Sequence, residues 1–313
     1  MSGDSRKIEI LKPFEEAFEL MKKMLFQPFN FEKWLVLGFA AFLAGHYAGM
    51  GFNFPFGGFP PGQTNHNQIS SEWEEWKPWL IVAIALAAVL FFLLIIVLMW
   101  LKARGNFILT DCIARNRAAI VDPWREYRRE GNSYFLYLLI VMFGSIFIFG
   151  MLCLLGFGIL AASGQGISNT RMTPLLVFFL AFFFLVWLGF AFFFGLTSYF
   201  MIPLMYVRRC RAAEAFRTVA GLVLEHVGSL ILFCLFGFCL LIGAIIVGGI
   251  ATCATCCMAG LPYIGTVILL PVLICLRGYA LLFIRQFGPE YDVWAAITAG
   301  SVEQSPQPPQ LPA

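Results

Sequence analysis

Few side chains in this sequence could do chemistry. Cys253, Cys256 and Cys257 stand in the run Cys253-Ala-Thr-Cys256-Cys257, where thiolates at that spacing could share a metal ion or a redox couple. A structural zinc normally takes four ligands, and no histidine is near in sequence. The competing reading is therefore small residues packing a tight turn, or a local disulfide. Arg277 lies deep in an apolar run. A cation there either snorkels towards headgroups, with an early helix exit, or lines a pathway or an anionic-lipid contact. His46 falls in a stripe of small residues with Ala41, Gly45 and Gly49, where it would hydrogen-bond between helices or handle a proton or metal. Asp111 and Arg115, four apart, read as a pair on a helix surface, and His226 after Glu225 reads as a solvated face.

Catalytic patterns are missing. Gly156-Phe-Gly158-Ile-Leu-Ala161 matches GxGxxA literally but sits in an apolar run and not after a strand. There is no P-loop and no HExxH, and none of the 3 histidines is placed with a Ser or Cys as a nucleophile pair would require. The sequence therefore predicts no catalytic residue, no cofactor and, the three cysteines apart, no metal.

The elements that must hold these residues are set by composition. Hydrophobic residues make up 60% of the 313 and charged residues 12%, with a mean hydropathy of +0.82. An average soluble domain is about a quarter charged, so a water-facing surface could not be covered. The expected fold is an all-α integral membrane protein. Six apolar runs suit crossings, over residues 34–50, 79–101, 135–160, 174–201, 228–250 and 263–284. The Gly-, Phe- and Pro-rich stretch 50–70 reads as an exposed loop or a re-entrant excursion. The Pro/Gln-rich tail 301–313 reads as disordered. The N-terminus lacks the pattern of a cleaved signal peptide and is expected to be retained.

Basic residues fix the expected orientation. Six precede the first run, seven lie in 102–133, four between the fourth and fifth runs, and Arg277 and Arg285 mark the last exit. The opposite loops hold only Lys77 and Arg171. Nineteen against two places both termini on the cytoplasmic side of the cell (inner) membrane.

An acid two residues before an aromatic recurs four times on that basic side: Glu16-Ala17-Phe18, Asp122-Pro123-Trp124, Glu214-Ala215-Phe216 and Asp292-Val293-Trp294. The acid suits a helix N-terminus, and Asp122 before Pro123 reads as an N-cap. The aromatic would anchor an amphipathic helix at the interface. The expected repeat is an amphipathic helix, a span out and a span back, giving three hairpins with a fourth amphipathic segment after the last span. For the first of these helices, the apolar positions Ile10, Leu11, Phe14, Phe18, Met21 and Leu25 predict a face lying in the headgroup plane.

The segment 211–233, RAAEAFRTVAGLVLEHVGSLILF, resembles the repeat unit of the glycerophosphoryl diester phosphodiesterase membrane-domain-like group. Residues 104–135 are similar to the matching region of uncharacterised prokaryotic six-span proteins. The resemblance implies a helical membrane domain without an agreed activity. No soluble catalytic domain is read in the chain, so no catalytic residue is carried over. The expected function is a non-enzymatic scaffold, assembly or lipid-organising module, with a small-solute or lipid transporter or channel using Arg277 as the alternative. The expected partners are membrane lipids, including anionic headgroups at the basic rim, and a second copy or another protein, but not nucleic acid.

Overall fold

The computed structural model describes residues 8–45, 72–162, 173–255, 258, 261–295, 297 and 298. Every regular element among them is helical. The order is α1 (Leu11–Phe26), α2 (Phe31–Leu43), α3 (Glu72–Ala114), α4 (Val121–Glu126), α5 (Arg128–Ala162), α6 (Thr173–Arg208), α7 (Ala212–Glu225), α8 (Val227–Ala254), α9 (Pro262–Ile268) and α10 (Leu270–Ile284). Two short 3₁₀ turns, Arg285–Phe287 and Pro289–Tyr291, follow α10. Five segments are long and apolar enough to cross a membrane: Trp79–Ala114, Arg128–Gly156, Ala181–Arg208, Val227–Ala254 and Leu270–Phe287. His46, the stretch 50–70, Arg171, Cys256, Cys257 and the tail 301–313 lie outside the described residues.

The core sits at one end. At 43 residues, α3 is about 65 Å long at 1.5 Å per residue, twice the roughly 30 Å of a hydrocarbon layer. Its uncharged run is exposed, but from Ala103 to Ala114 every residue is buried. That stretch is enclosed by α2, α4, α5 and α6, while α10 packs against α1, α2, α6 and α8. We call this end the base.

The first expected span reads differently in the structure. Helix α2 has 13 residues, about 20 Å. Lys33 Nζ donates to Asn116 Oδ1 at 2.9 Å, and at the other end of α2 the Asn106 amide approaches the Ala44 carbonyl at 3.5 Å. Thus α2 runs antiparallel along the charged end of α3, residues 102–116, and not along its uncharged run. Two glycines permit this. A Cβ on Gly105 would run into the backbone of Leu43 and Ala44, and Gly45 ends the helix at φ +83° against the Lys102 stem. The sixth expected span is broken at Leu269, ahead of Pro271. Its N-terminal piece α9 packs on α2, with Tyr263 Oη donating to the Leu35 carbonyl at 3.2 Å.

The amphipathic helices also join the base. Helix α1 buries Pro13, Ala17, Met21, Met24 and Leu25, and its main packing partner is α10. Its face is rotated from the expected one: Met21 and Leu25 are buried, while Leu11 and Phe18 are 65% and 52% exposed. Helix α7 buries Ala212, Ala215, Val219, Leu222 and Val223, chiefly against α6 and α5.

Candidate functional site

Two charged centres inside the base differ in how they are compensated. The first surrounds Asp111, which has no exposed surface. Arg115 Nε reaches its Oδ1 at 3.0 Å, Arg117 Nη2 its Oδ2 at 2.9 Å, and Tyr206 Oη donates to Oδ1 at 2.9 Å. The network continues through Glu126, which is ion-paired with Arg115 at 3.6 Å and with Arg209. Arg209 also lies over the Tyr127 ring at 3.8 Å, and that ring stacks on Tyr206. Burial, with the adjacent Tyr206 hydroxyl, pushes the Tyr127 phenol well above its ordinary range. Sequence spacing predicts a surface pair between Asp111 and Arg115. The structure corrects this to a buried carboxylate gripped from the turn after α3 and from α6, because Arg117 and Tyr206 complete it and α3 is buried on all sides here.

The second centre is Arg277, which is only 2% exposed. Its Nη2 donates to Thr110 Oγ1 at 3.3 Å, and its guanidinium carbon lies 5.0 Å from the centre of the Tyr199 ring. Nε is buried without a hydrogen-bond partner. Tyr134 stands near enough to interact with the charge, and its hydroxyl donates to the Ser198 carbonyl at 3.1 Å. Among the described residues no carboxylate lies within ion-pair distance of Arg277. The arginine therefore does not snorkel to a surface. It stands at the level of Thr110, nine residues beyond Leu101 where the uncharged run of α3 ends, in a layer of neutral hydrogen-bonding groups from α3, α5 and α6.

A sequence match to residues 9–284 is with a family model described as a family of unknown function, DUF7544. The chain belongs to the DUF7544 family. No curated protein matches it, and no solved structure does.

In this DUF7544 chain the four acid-aromatic triplets fall in different environments. Asp292 caps a helix start, accepting from the Trp294 and Ala295 amides at 2.9 and 3.1 Å. Asp122 does not act as the N-cap. Helix α4 begins at Val121 with Ile120 in the cap position, and the Asp122 carboxylate, 73% exposed, reaches Arg117 at 3.9 Å. Glu214 is in the first turn of α7. Glu16, inside α1, pairs with Arg285 at 2.7 Å and so ties α1 to the end of α10. Trp124, Phe216 and Trp294 pack against the core, whereas Phe18 is exposed.

Trp124 belongs to a box that the repeat alone does not reveal. The Arg104 guanidinium lies 4.6 Å from the Trp100 ring and 4.9 Å from the Trp124 ring, and its Nε and Nη2 both donate to Asn132 Oδ1. Cys253 is an exposed free thiol, and among the described residues no three His, Cys, Asp or Glu side chains gather as a metal site. A groove of about 730 Å³ opens between α1 and the turns after α10. It is lined by both signs of charge, Glu9, Glu16 and Asp292 with Lys12 and Arg285, so it has no clear polarity for a ligand.

Proposed function

We propose that the chain is a non-enzymatic membrane module in which the base holds a set of long helices and presents their apolar surfaces to lipid. The observation that carries this is where burial stops. In the most apolar stretch of α3 and of α5 no residue is buried, in α6 6% and in α8 11% are, against 61% in α10. An apolar-all-round helix that is not buried in protein needs an apolar solvent. Phe147 at 69%, Leu154 at 68% and Ile245 at 65% exposure are side chains that acyl tails would cover. The membrane reading adds both termini on the cytoplasmic side, supported by the nineteen-to-two placement of Lys and Arg. It also puts the basic base beside anionic headgroups.

The test is reconstitution into liposomes. A lipid-organising module retains phospholipid through purification, restricts the motion of spin-labelled lipids, and gives no saturable solute flux. Saturable flux would overturn the reading. One observation favours the second reading, transport of a small solute or lipid: Arg277 is a buried cation without a carboxylate partner. Such flux should then fall in Arg277→Ala, and flux unchanged in that variant would remove the pathway through Arg277.

A further inference from the structure

We propose that Arg277 is the receptor of an oxyanion, a phosphate group, held in the layer where α3, α5, α6 and α10 meet. The argument starts from what is missing around the charge. A guanidinium presents five N–H donors and cannot be deprotonated in a protein. Burial without a counter-charge is costly unless partners take the place of water. Arg277 is 2% exposed, and one of its donors, Nε, has no partner. The 3.3 Å contact of Nη2 with Thr110 is a long hydrogen bond to a neutral group.

The acid next to Thr110 in sequence cannot supply the missing charge. Asp111 follows Thr110, but its oxygens are already shared by Arg115, Arg117 and Tyr206. The other neighbours are neutral: Thr110 and Tyr134 are buried, and the ring of Tyr199 lies against the guanidinium. Tyr137, which stacks on Tyr134, has a buried hydroxyl that is also unpartnered. A fixed cation, a free N–H on it and the unpartnered Tyr137 hydroxyl, with no competing carboxylate among the described residues, suit a phosphate, whose oxygens accept from guanidinium and hydroxyl alike. Of the side chains that touch Arg277, Tyr199 is half-buried where Thr110 is fully buried, so the anion enters on the Tyr199 side.

The phosphate has two possible sources, a phospholipid headgroup or a free ion, and the experiment separates them. The full chain in micelles of a phosphate-free maltoside detergent is melted with sodium phosphate or with sodium chloride of equal ionic strength. It is melted again in the chloride buffer after phosphatidylglycerol is added to the micelles. Each condition is repeated with R277Q and with R129Q, which removes an exposed arginine of the same base.

We expect the wild type to gain about 3 °C at roughly ten times the dissociation constant, in the phosphate arm if the ion binds free and in the phosphatidylglycerol arm if a headgroup does. R129Q should keep that response and R277Q should lose it. Without either anion, R277Q should melt no lower than the wild type, because it removes an unpaired buried charge. The proposal is overturned if the wild type responds in neither arm. It is also overturned if R277Q loses the same stability in every condition, or does not fold in the phosphate-free detergent, since the arginine would then be structural. The site stands apart from the lipid-organising reading: saturable flux would sink that reading and leave this response intact, and an absent response would leave the flux result untouched.

Discussion

Along α3 a single helix passes between two environments. Near its start Ile81 is 66% and Ile84 61% exposed, while from Ala103 to Ala114 no residue is. The first stretch carries no charge; the second carries Arg104 and Asp111 and leads into Arg115 and Arg117. The polar residues are thus in the interior and the apolar residues are outside, the inverse of a water-soluble domain. The difference teaches that the fold is held at its base, where aromatic stacking, close backbone approach and a compensated carboxylate coincide. The far halves of α3, α5, α6 and α8 bury little, and α5 and α6 meet there through Trp187 Nε1 donating to Ser145 Oγ at 3.2 Å.

The largest effect should therefore come from the core of the base. Phe107 is fully buried, stacks on Tyr127 and meets Tyr134 edge-on at 6.1 Å. Phe107→Ala should cost about 4 kcal/mol, read as a lowered midpoint of unfolding in mild detergent. Asp111→Asn comes next. It keeps the shape but leaves Arg115 and Arg117 facing a neutral amide. Breaking a buried pair costs about 3 to 5 kcal/mol, and the lower end applies because both arginines are about a third exposed and partly screened. In an α2–α3 crossing that truly depends on backbone contact, Gly105→Ala should cost about 2 kcal/mol through overpacking. A neutral outcome there would mean that α2 can shift away from α3 freely, and the base would be looser than its contacts suggest.

How much of this was legible in the sequence depends on which interactions leave a local trace. The uncharged runs do, and α3, α5, α6 and α8 cover the runs expected to be helical. The basic clustering also does, and it coincides with the packed end. What left no trace was depth. In the run beginning at Trp34, α2 buries Leu37, Ala40, Ala41 and Leu43 in the base while Phe31 and Phe39 stay exposed, and a base helix and a crossing helix share the same composition. The same ambiguity covers α10, which is long and apolar enough to cross a membrane and also packs against α1 and α8. Arg277 could be singled out by its type and place, but the lack of a carboxylate beside it is a tertiary fact. Tyr206, 95 residues from Asp111, and Arg117, six beyond it, were equally out of reach of a pattern read at helical spacing. The Asp122-Pro123 pair suits an N-cap with a helix starting at Pro123, yet α4 starts at Val121 with Ile120 in the cap position.

The smallest expected effect sharpens the comparison most. Phe147 lies on the far half of α5, 69% exposed, and the same Phe→Ala change made at Phe107 removes the same atoms there. With little protein contact to lose, Phe147→Ala should shift the unfolding midpoint by less than about 0.5 kcal/mol in detergent. The two substitutions differ only in surroundings, so the ratio of their effects measures how far packing extends up the helices. If Phe147→Ala instead cost as much as Phe107→Ala, the far halves would be packed against something that a single chain does not contain. A second copy is the first candidate for that role, and the variant would then also shift the mass of the particle towards the monomer. A small cost at constant mass leaves lipid as the material that fills the space between the helices.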